Sequence, residues 1–142
     1  METAQIYLYS DLAEGMTREV DYAITPAVYE NFLKTFVDFS PIHVDAEAAC
    51  ARGLNGCVMH GGILNGFLSH FVGMIFPGAN SLLLSTELRY LQPNYLHDTL
   101  RLTAKVSQRL DVQQVVVLHV TFFNQTRNII SATGRVQVKL SA

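Results

Sequence analysis

The alternation of apolar and polar residues changes midway along the chain. From Ser81 onward, apolar residues recur at a period of two, which is typical of half-buried β-strands. The segments between these stretches are short, so they favour antiparallel connections over helical crossovers. The pattern predicts four strands: LLLSTELRYL (82–91), TLRLTAKVSQ (99–108), VVVLHVTFF (115–123) and NIISATGRVQVKL (128–140).

In the first half of the chain, apolar residues recur at helical spacing instead. One strand is predicted at the start of this half, around Met16 to Ile24. Thr25 and Pro26 then supply the N-cap and first-turn signals of a helix. The apolar spacing that follows predicts that this helix ends near Val37.

The next elements are two helices joined by glycine-containing loops. Residues 38–44 contain an X-Pro unit, which disfavours helix, so this segment predicts a loop. Asp45 can cap a short helix over AEAACAR, which Gly53 closes. The apolar stretch GILNGFLSHFVGMIF (62–76) predicts a long buried helix that ends before Pro77.

Together these elements predict an α+β fold in a single domain that covers residues 1–142. A helix that is apolar on most sides needs a surface that encloses it. One antiparallel sheet can provide this surface by curling around the helix. The expected architecture is therefore the hot-dog fold, an antiparallel sheet wrapped around a long central apolar helix.

Composition and charge narrow the range of partners. The 142 residues are 49% hydrophobic and only 15% charged, which indicates that some apolar surface is buried against a second copy of the chain. The formal net charge of -2 and the lack of a Lys/Arg cluster argue against a nucleic-acid partner. We therefore expect a homo-oligomer that does not bind nucleic acid.

The sequence also indicates where the protein works. The N-terminal residues METAQIYLYSDLAEG lack the basic and apolar segments of a signal peptide, so a cytoplasmic location is expected. The longest apolar stretch, 61–76, is interrupted by polar residues and is too short to cross a membrane. Cys50 and Cys57 lie seven residues apart, a spacing that favours neither a zinc site nor a disulfide framework.

The segment DFSPIHVD, residues 38–45, places a carboxylate and an imidazole on either side of a proline. Turn geometry can bring Asp38 and His43 together, and a proline-stiffened loop loses little entropy when it orders. Such a pair can perform acid/base chemistry on one water molecule. The alternative is structural: Asp38 caps a helix or turn, and His43 is a packed loop histidine.

The same segment resembles the MaoC-like hydratases. Their signature, D-x-N-P-[IL]-H-x-D followed by [IV]-x-H-G-x-L, is similar to DFSPIHVD and CVMHGGIL, and the interval from Asp38 to His60 matches without a gap. Weaker similarity covers YSDLAEGM near the N-terminus. It also covers LRYLQPNYLHDTL after the long helix, which resembles the family pattern F-x-x-P-V-x-x-G-D-T-L.

This resemblance implies an enzyme, an (R)-specific enoyl-CoA hydratase or the dehydratase that runs the reverse reaction. Asp38 and His43 are then the catalytic pair that positions and deprotonates water and protonates the α-carbon. The product is an (R)-3-hydroxyacyl thioester formed by syn addition to a trans-2-enoyl thioester. The resemblance also implies a homodimer, an acyl-CoA or acyl-ACP substrate and no cofactor.

Four further residues are candidates for substrate binding by the same resemblance. The Gly61 N–H, at the start of the long helix, is expected to bind the thioester oxygen, although this glycine could serve only for tight helix entry. His60 is expected to shape the turn. Ser69 corresponds to a hydroxyl near the pair or bonds to the preceding helical turn. Ser40 replaces the asparagine of the family signature and leaves a smaller hydroxyl.

Other possibilities remain beside this expectation. His97 stands where the family turn usually has glycine, so a positive φ there would be strained and the turn could be remodelled. Metal binding through His43, Asp45 and His60 is possible by residue type, but no metal-binding spacing supports it, and no metal is expected. The rival functions are a hot-dog acyl-CoA thioesterase and a non-catalytic acyl-thioester-binding module.

Overall fold

A five-stranded antiparallel sheet forms the framework of the protein, which a computed structural model describes over residues 1–141. Its strand order is β1-β3-β4-β5-β2, and every neighbouring pair is antiparallel. The five predicted strands are confirmed with small shifts at their ends. Their bounds are β1 Thr17–Ala23, β2 Ser81–Tyr90, β3 Thr99–Leu110, β4 Val115–Asn124 and β5 Ile129–Leu140.

The first helix, α1, spans Pro26–Phe36, as its capping signals predict. The Thr25 side chain accepts a hydrogen bond from the Val28 N–H at 3.2 Å and so caps the first turn. Val37 ends the helix in the left-handed conformation, with φ of 56°. This reversal directs the chain into the segment that contains Asp38.

The predicted loop over residues 38–44 is wrong in its second half, because Pro41–Val44 forms a one-turn helix, α2. The X-Pro rule restricts only the residue before proline, and Ser40 is extended, with ψ of 135°. Proline itself is well suited to the first position of a helix. The next helix, α3, spans Ala46–Ala51 and is capped by Asp45, as predicted.

The long apolar helix, α4, spans Gly61–His70 and continues as one π-helical turn, Phe71–Ile75. Gly73 lies inside this turn and lowers its preference for a regular α-helix. Leu64, Leu68 and Phe71 are almost fully buried, and each such side chain contributes about 1.5–3 kcal/mol of hydrophobic stabilisation. None of the helices in residues 1–141 has the length and apolarity needed to cross a membrane.

The sheet wraps around α4, so the predicted hot-dog arrangement is confirmed. The strand residues that pack in the same core as α4 are fully buried and come from β3, β4 and β5: Leu100, Leu102, Val106, Leu118, Phe122 and Val136. This packing fixes the position of the α4 N-terminus relative to α1 and α2. The segment that contains Asp38 and His43 lies near this N-terminus.

The turn before β3 has a positive φ at position 97, although histidine stands there in place of the family's glycine. His97 has a φ of 71°, in the region that favours glycine. Its N–H donates to the Ile24 carbonyl at 2.8 Å. The turn is therefore not remodelled, and His97 accepts the strained conformation.

Candidate active site

Asp38 lies just after α1, where the reversed backbone at Val37 exposes its side chain. Its Oδ1 accepts a hydrogen bond from the Ser40 backbone N–H at 3.1 Å. This contact folds the carboxylate back over its own loop and leaves Oδ2 available. About half of the Asp38 side-chain surface remains exposed to solvent.

His43 is carried by α2, and backbone groups of Val58 hold this part of the chain. Its Nδ1 lies 2.7 Å from the Val58 carbonyl oxygen. A carbonyl oxygen only accepts, so Nδ1 must carry the proton, and in the neutral ring Nε2 presents a lone pair. The Val58 N–H also donates to the Ile42 carbonyl at 3.0 Å, so this residue fastens α2 at two points.

Tyr29 supports His43 from α1. Its hydroxyl donates to the His43 carbonyl oxygen at 2.6 Å. Burial, with a smaller contribution from the nearby Cys57 thiol, raises the pKa of Tyr29. The phenol therefore keeps its proton and stays a hydrogen-bond donor at neutral pH.

The two candidate catalytic groups face each other across a short gap. Asp38 Oδ2 lies 3.9 Å from His43 Nε2. This distance is too long for a direct hydrogen bond, and two acceptors would not form one. Two hydrogen bonds of about 2.8 Å each can bridge such a gap through one water molecule. The structure thus brings together the pair that the sequence pointed to.

His60 lies beneath this pair and is almost completely buried, with 2% of its side chain exposed. Its Nε2 donates to the Asp38 carbonyl oxygen at 2.9 Å, and its ring packs against that of His43, with centroids 3.9 Å apart and the planes tilted by 30°. The Phe32 ring also packs against the His60 ring, with centroids 4.6 Å apart. His60 therefore contacts both catalytic candidates, Asp38 through its carbonyl oxygen and His43 through its ring. Its part in shaping the turn stays a prediction.

Gly61 and Gly62 form the first turn of α4, where backbone N–H groups lack helical partners. Gly61 lines a cavity of 440 Å³ together with Val58, Met59 and Tyr90. A Cβ on Gly62 would lie 2.7 Å from Phe32 Cζ, so close packing against α1 requires glycine there.

A larger groove of 640 Å³ runs between α1 and α4 on the other side of this turn. Most of its surface is apolar. The residues that line it include Val28, Phe32, Phe36, Gly62, Ile63 and Phe67. An acyl chain is the type of group that such a surface can bury.

The structure does not bring two of the predicted binding residues to the pair through their side chains. Ser69 is exposed on α4, eight residues after Gly61, which is about 12 Å along a helix axis. Ser40 supports Asp38 through its backbone N–H, not through its hydroxyl. Substrate binding by either serine stays a prediction.

Ligand atoms of Asp38, His43 and His60 all lie within 4.8 Å of one another, a grouping that could hold a metal ion. The Nε2 atom of His60 already donates to the Asp38 carbonyl, which leaves two ligand atoms where a catalytic zinc needs three protein ligands. The residue types for a metal are therefore present, but their hydrogen bonding does not suit one. Asp45 takes no part in this grouping, because its carboxylate caps α3.

Sequence reasoning missed two residues that hold the pair. Tyr29 belongs to the helical apolar spacing of α1, and this spacing does not indicate the contact of its hydroxyl with the His43 carbonyl. The Val58 carbonyl acts through the backbone, so no side-chain pattern could indicate it. Both are needed to explain why His43 points its Nε2 at Asp38.

The sheet and the enclosed helix define a hot-dog fold, and comparisons with known proteins agree. A family model described as MaoC like domain matches residues 10–126. A curated (R)-specific enoyl-CoA hydratase from Rhodospirillum rubrum is 22% identical over 133 residues, covering 94% of this chain and 92% of that protein.

Solved structures of similar fold include two R-hydratases. The unliganded R-hydratase PhaJ1 from Pseudomonas aeruginosa has a TM-score of 0.87 at 23% identity, covering 96% of this chain and 87% of the other. The (R)-hydratase from A. caviae involved in PHA biosynthesis has a TM-score of 0.83 at 24% identity, covering 92% and 98%. The chain belongs to the MaoC-like domain family.

Proposed function

We propose that this protein is a hydro-lyase that adds water to a trans-2-enoyl thioester, giving an (R)-3-hydroxyacyl thioester, or catalyses the reverse dehydration. The observation that carries the proposal is the 3.9 Å gap between Asp38 Oδ2 and His43 Nε2. Both atoms are acceptors, and the Val58 carbonyl fixes the imidazole tautomer that makes this so. The names of the relatives point to the same reaction.

The pair can activate one water molecule. A water in the gap would donate one proton to each acceptor, which directs an oxygen lone pair outward at the substrate. As this oxygen attacks the β-carbon, one acceptor takes a proton from the water. The same group can return that proton to the α-carbon. The water oxygen and the proton therefore add to the same face of the double bond. This accounts for syn addition with no other source of protons.

The start of α4 can stabilise the charge that this attack creates. Electrons displaced from the double bond accumulate on the thioester oxygen. The Gly61 N–H and the positive end of the α4 dipole are suited to that oxygen. Gly61 would thus bind the reacting group, and the apolar groove between α1 and α4 would take the acyl chain.

The substrate is proposed to be an enoyl-CoA, and the active form a homodimer. The edge strand β2 exposes Leu82, Leu83 and Leu84 to 59%, 41% and 49%. An exposed apolar edge strand can pair with the same strand of a second copy. A dimeric mass in light scattering is expected, with monomers after Leu83→Glu.

Cys50 and Cys57 are both free thiols, which supports a reducing compartment such as the cytoplasm.

The function is tested by the loss of enoyl-thioester absorbance after crotonyl-CoA is added. Asp38→Asn and His43→Gln should each lower kcat by on the order of 100-fold or more. Asp45→Asn and His119→Gln are matched controls, because Asp45 caps α3 and His119 lies exposed on β4. Both controls should keep the activity of the wild type.

Two results would contradict the proposal. One is a wild-type protein that hydrates neither crotonyl-CoA nor a medium-chain enoyl-CoA. The other is the release of free CoA thiol, which would indicate thioester hydrolysis and favour a thioesterase. In the first case, tight binding of enoyl-CoA without turnover would favour a non-catalytic binding module.

A further inference from the structure

The ring of Tyr90, the last residue of β2, covers the first turn of α4. A Cβ placed on Gly61 would lie 3.1 Å from Tyr90 Cε1 and 3.2 Å from Tyr90 Cζ. The ring carbon that carries the hydroxyl therefore packs against the residue whose N–H starts the helix. About half of Tyr90 is exposed, and Tyr90 and Gly61 line the same cavity.

Asn65 holds the Tyr90 hydroxyl in position. This residue lies one helical turn after Gly61, and its Nδ2 donates to the Tyr90 hydroxyl oxygen at 2.7 Å. Tyr90 lines the cavity that contains Gly61, whereas Asn65 lines the apolar groove on the other side of the turn. The hydrogen-bonded pair thus spans the boundary between the two spaces that flank the start of α4.

A phenol hydroxyl can accept hydrogen bonds and donate one. Because Asn65 donates to the oxygen, the Tyr90 proton is left for another acceptor. We propose that Tyr90 is a catalytic residue whose O–H donates to the thioester oxygen of the substrate, beside the Gly61 N–H. This inference rests on the proposed hydratase function and adds a second donor to the site.

A hydrogen-bond donor at this position would stabilise the transition state of hydration. Attack of water on the β-carbon moves negative charge onto the thioester oxygen, so a donor there binds the transition state more strongly than the ground state. Packing against Gly61 needs only the ring and not the hydroxyl. A phenylalanine at this position, as in the family pattern F-x-x-P, would keep the packing and lack the donor.

The test is the hydration of crotonyl-CoA by the full-length Tyr90→Phe variant. We expect kcat to fall by on the order of 100-fold, with KM changed by no more than about twofold. Its affinity for butyryl-CoA, which has the thioester but no double bond, should stay near that of the wild type. Tyr9→Phe is the matched control and should keep full activity, because the Tyr9 hydroxyl donates to the distant Asp111.

A second variant tests the direction of the hydrogen bond. In Asn65→Asp the donor becomes an acceptor that captures the Tyr90 proton, and the added charge also opposes the oxyanion. We expect a larger loss of kcat from Asn65→Asp in the wild type than in Tyr90→Phe, where only the charge acts. An equal loss in both backgrounds would contradict the inference.

The outcomes separate this inference from the function on which it rests. If the wild type hydrates crotonyl-CoA and Tyr90→Phe keeps the same kcat, Tyr90 is not a donor to the oxyanion and the hydratase assignment stands. A rise in KM alone, with kcat unchanged, also overturns the inference. A wild type without turnover overturns both.

Discussion

Replacing Gly62 by alanine perturbs the packing of α1 on α4 that supports the candidate site. An added Cβ would lie 2.7 Å from Phe32 Cζ and 2.9 Å from Phe32 Cε2, whereas ordinary contacts begin near 3.4 Å. The ring must therefore move by several tenths of an ångström. Movement toward His60 and Phe36 is restricted, because its centroid lies 4.6 Å from that of His60 and 4.7 Å from that of Phe36.

Two opposing terms set the size of the effect on stability. Overpacking of this kind costs about 1–3 kcal/mol. Exchange of glycine for alanine in a helix contributes about 0.5–1 kcal/mol in the other direction. We expect Gly62→Ala to lower the free energy of unfolding by about 1 kcal/mol, or Tm by about 3 °C.

The effect on activity should be larger than the effect on stability. A displaced Phe32 ring pushes on His60, whose Nε2 holds the Asp38 carbonyl. Small errors in the placement of catalytic groups are costly, so we expect kcat to fall at least about tenfold.

The assay is urea unfolding together with crotonyl-CoA hydration, and Gly66→Ala is the control. Gly66 lies one turn further along α4, and a Cβ there would meet no atom within 4 Å. This control should gain about 0.5–1 kcal/mol. If Gly62→Ala gains the same stability as Gly66→Ala and keeps its kcat, then Phe32 does not connect the helix packing to the site.

Three further predictions concern stability. His97→Gly should raise the free energy of unfolding by about 1 kcal/mol, measured in urea, because it removes a strained φ of 71°. Asp98 is 1% exposed and accepts from the buried Asn124 Nδ2 at 2.7 Å and Tyr95 N–H at 2.8 Å, so Asp98→Ala should cost about 2–4 kcal/mol by leaving these donors unpaired, whereas Asp111→Ala at the surface should cost less than about 1 kcal/mol. Burial raises the pKa of Tyr22 from 10.0 to about 12. The unfolded chain therefore ionises first between pH 10 and pH 12, and stability should fall across this window, less steeply in Tyr22→Phe.

The fold could be predicted because its strands carry a clear period-two pattern and its central helix is apolar on most sides. The positions of Asp38 and His43 could be predicted because a proline separates them within one short segment. α2 could not be predicted from the X-Pro rule, because this rule restricts only Ser40 and says nothing of the residues after Pro41. Contacts with distant residues also support α2, such as the hydrogen bond from the Tyr29 hydroxyl to the His43 carbonyl oxygen.

The orientation of the site could not be predicted, because backbone atoms set it. A sequence pattern describes side chains, and the Val58 carbonyl that fixes the His43 tautomer belongs to a strand-like segment 15 residues away. The same is true of His60, whose contact with Asp38 is to a carbonyl oxygen. Such contacts appear only when the folded chain brings distant segments together.

This dependence on the backbone explains why serine at position 40 does not by itself remove the support of Asp38. The amide of the family asparagine is absent, yet Oδ1 of Asp38 is held by the N–H of Ser40, which every residue except proline provides. His43 is likewise held by a carbonyl at Nδ1. Substitution at position 40 can therefore change the surface that meets the substrate without moving the pair that would activate water. The same reasoning puts the vulnerable points of the site at Phe32 and His60, whose rings hold these backbone segments together.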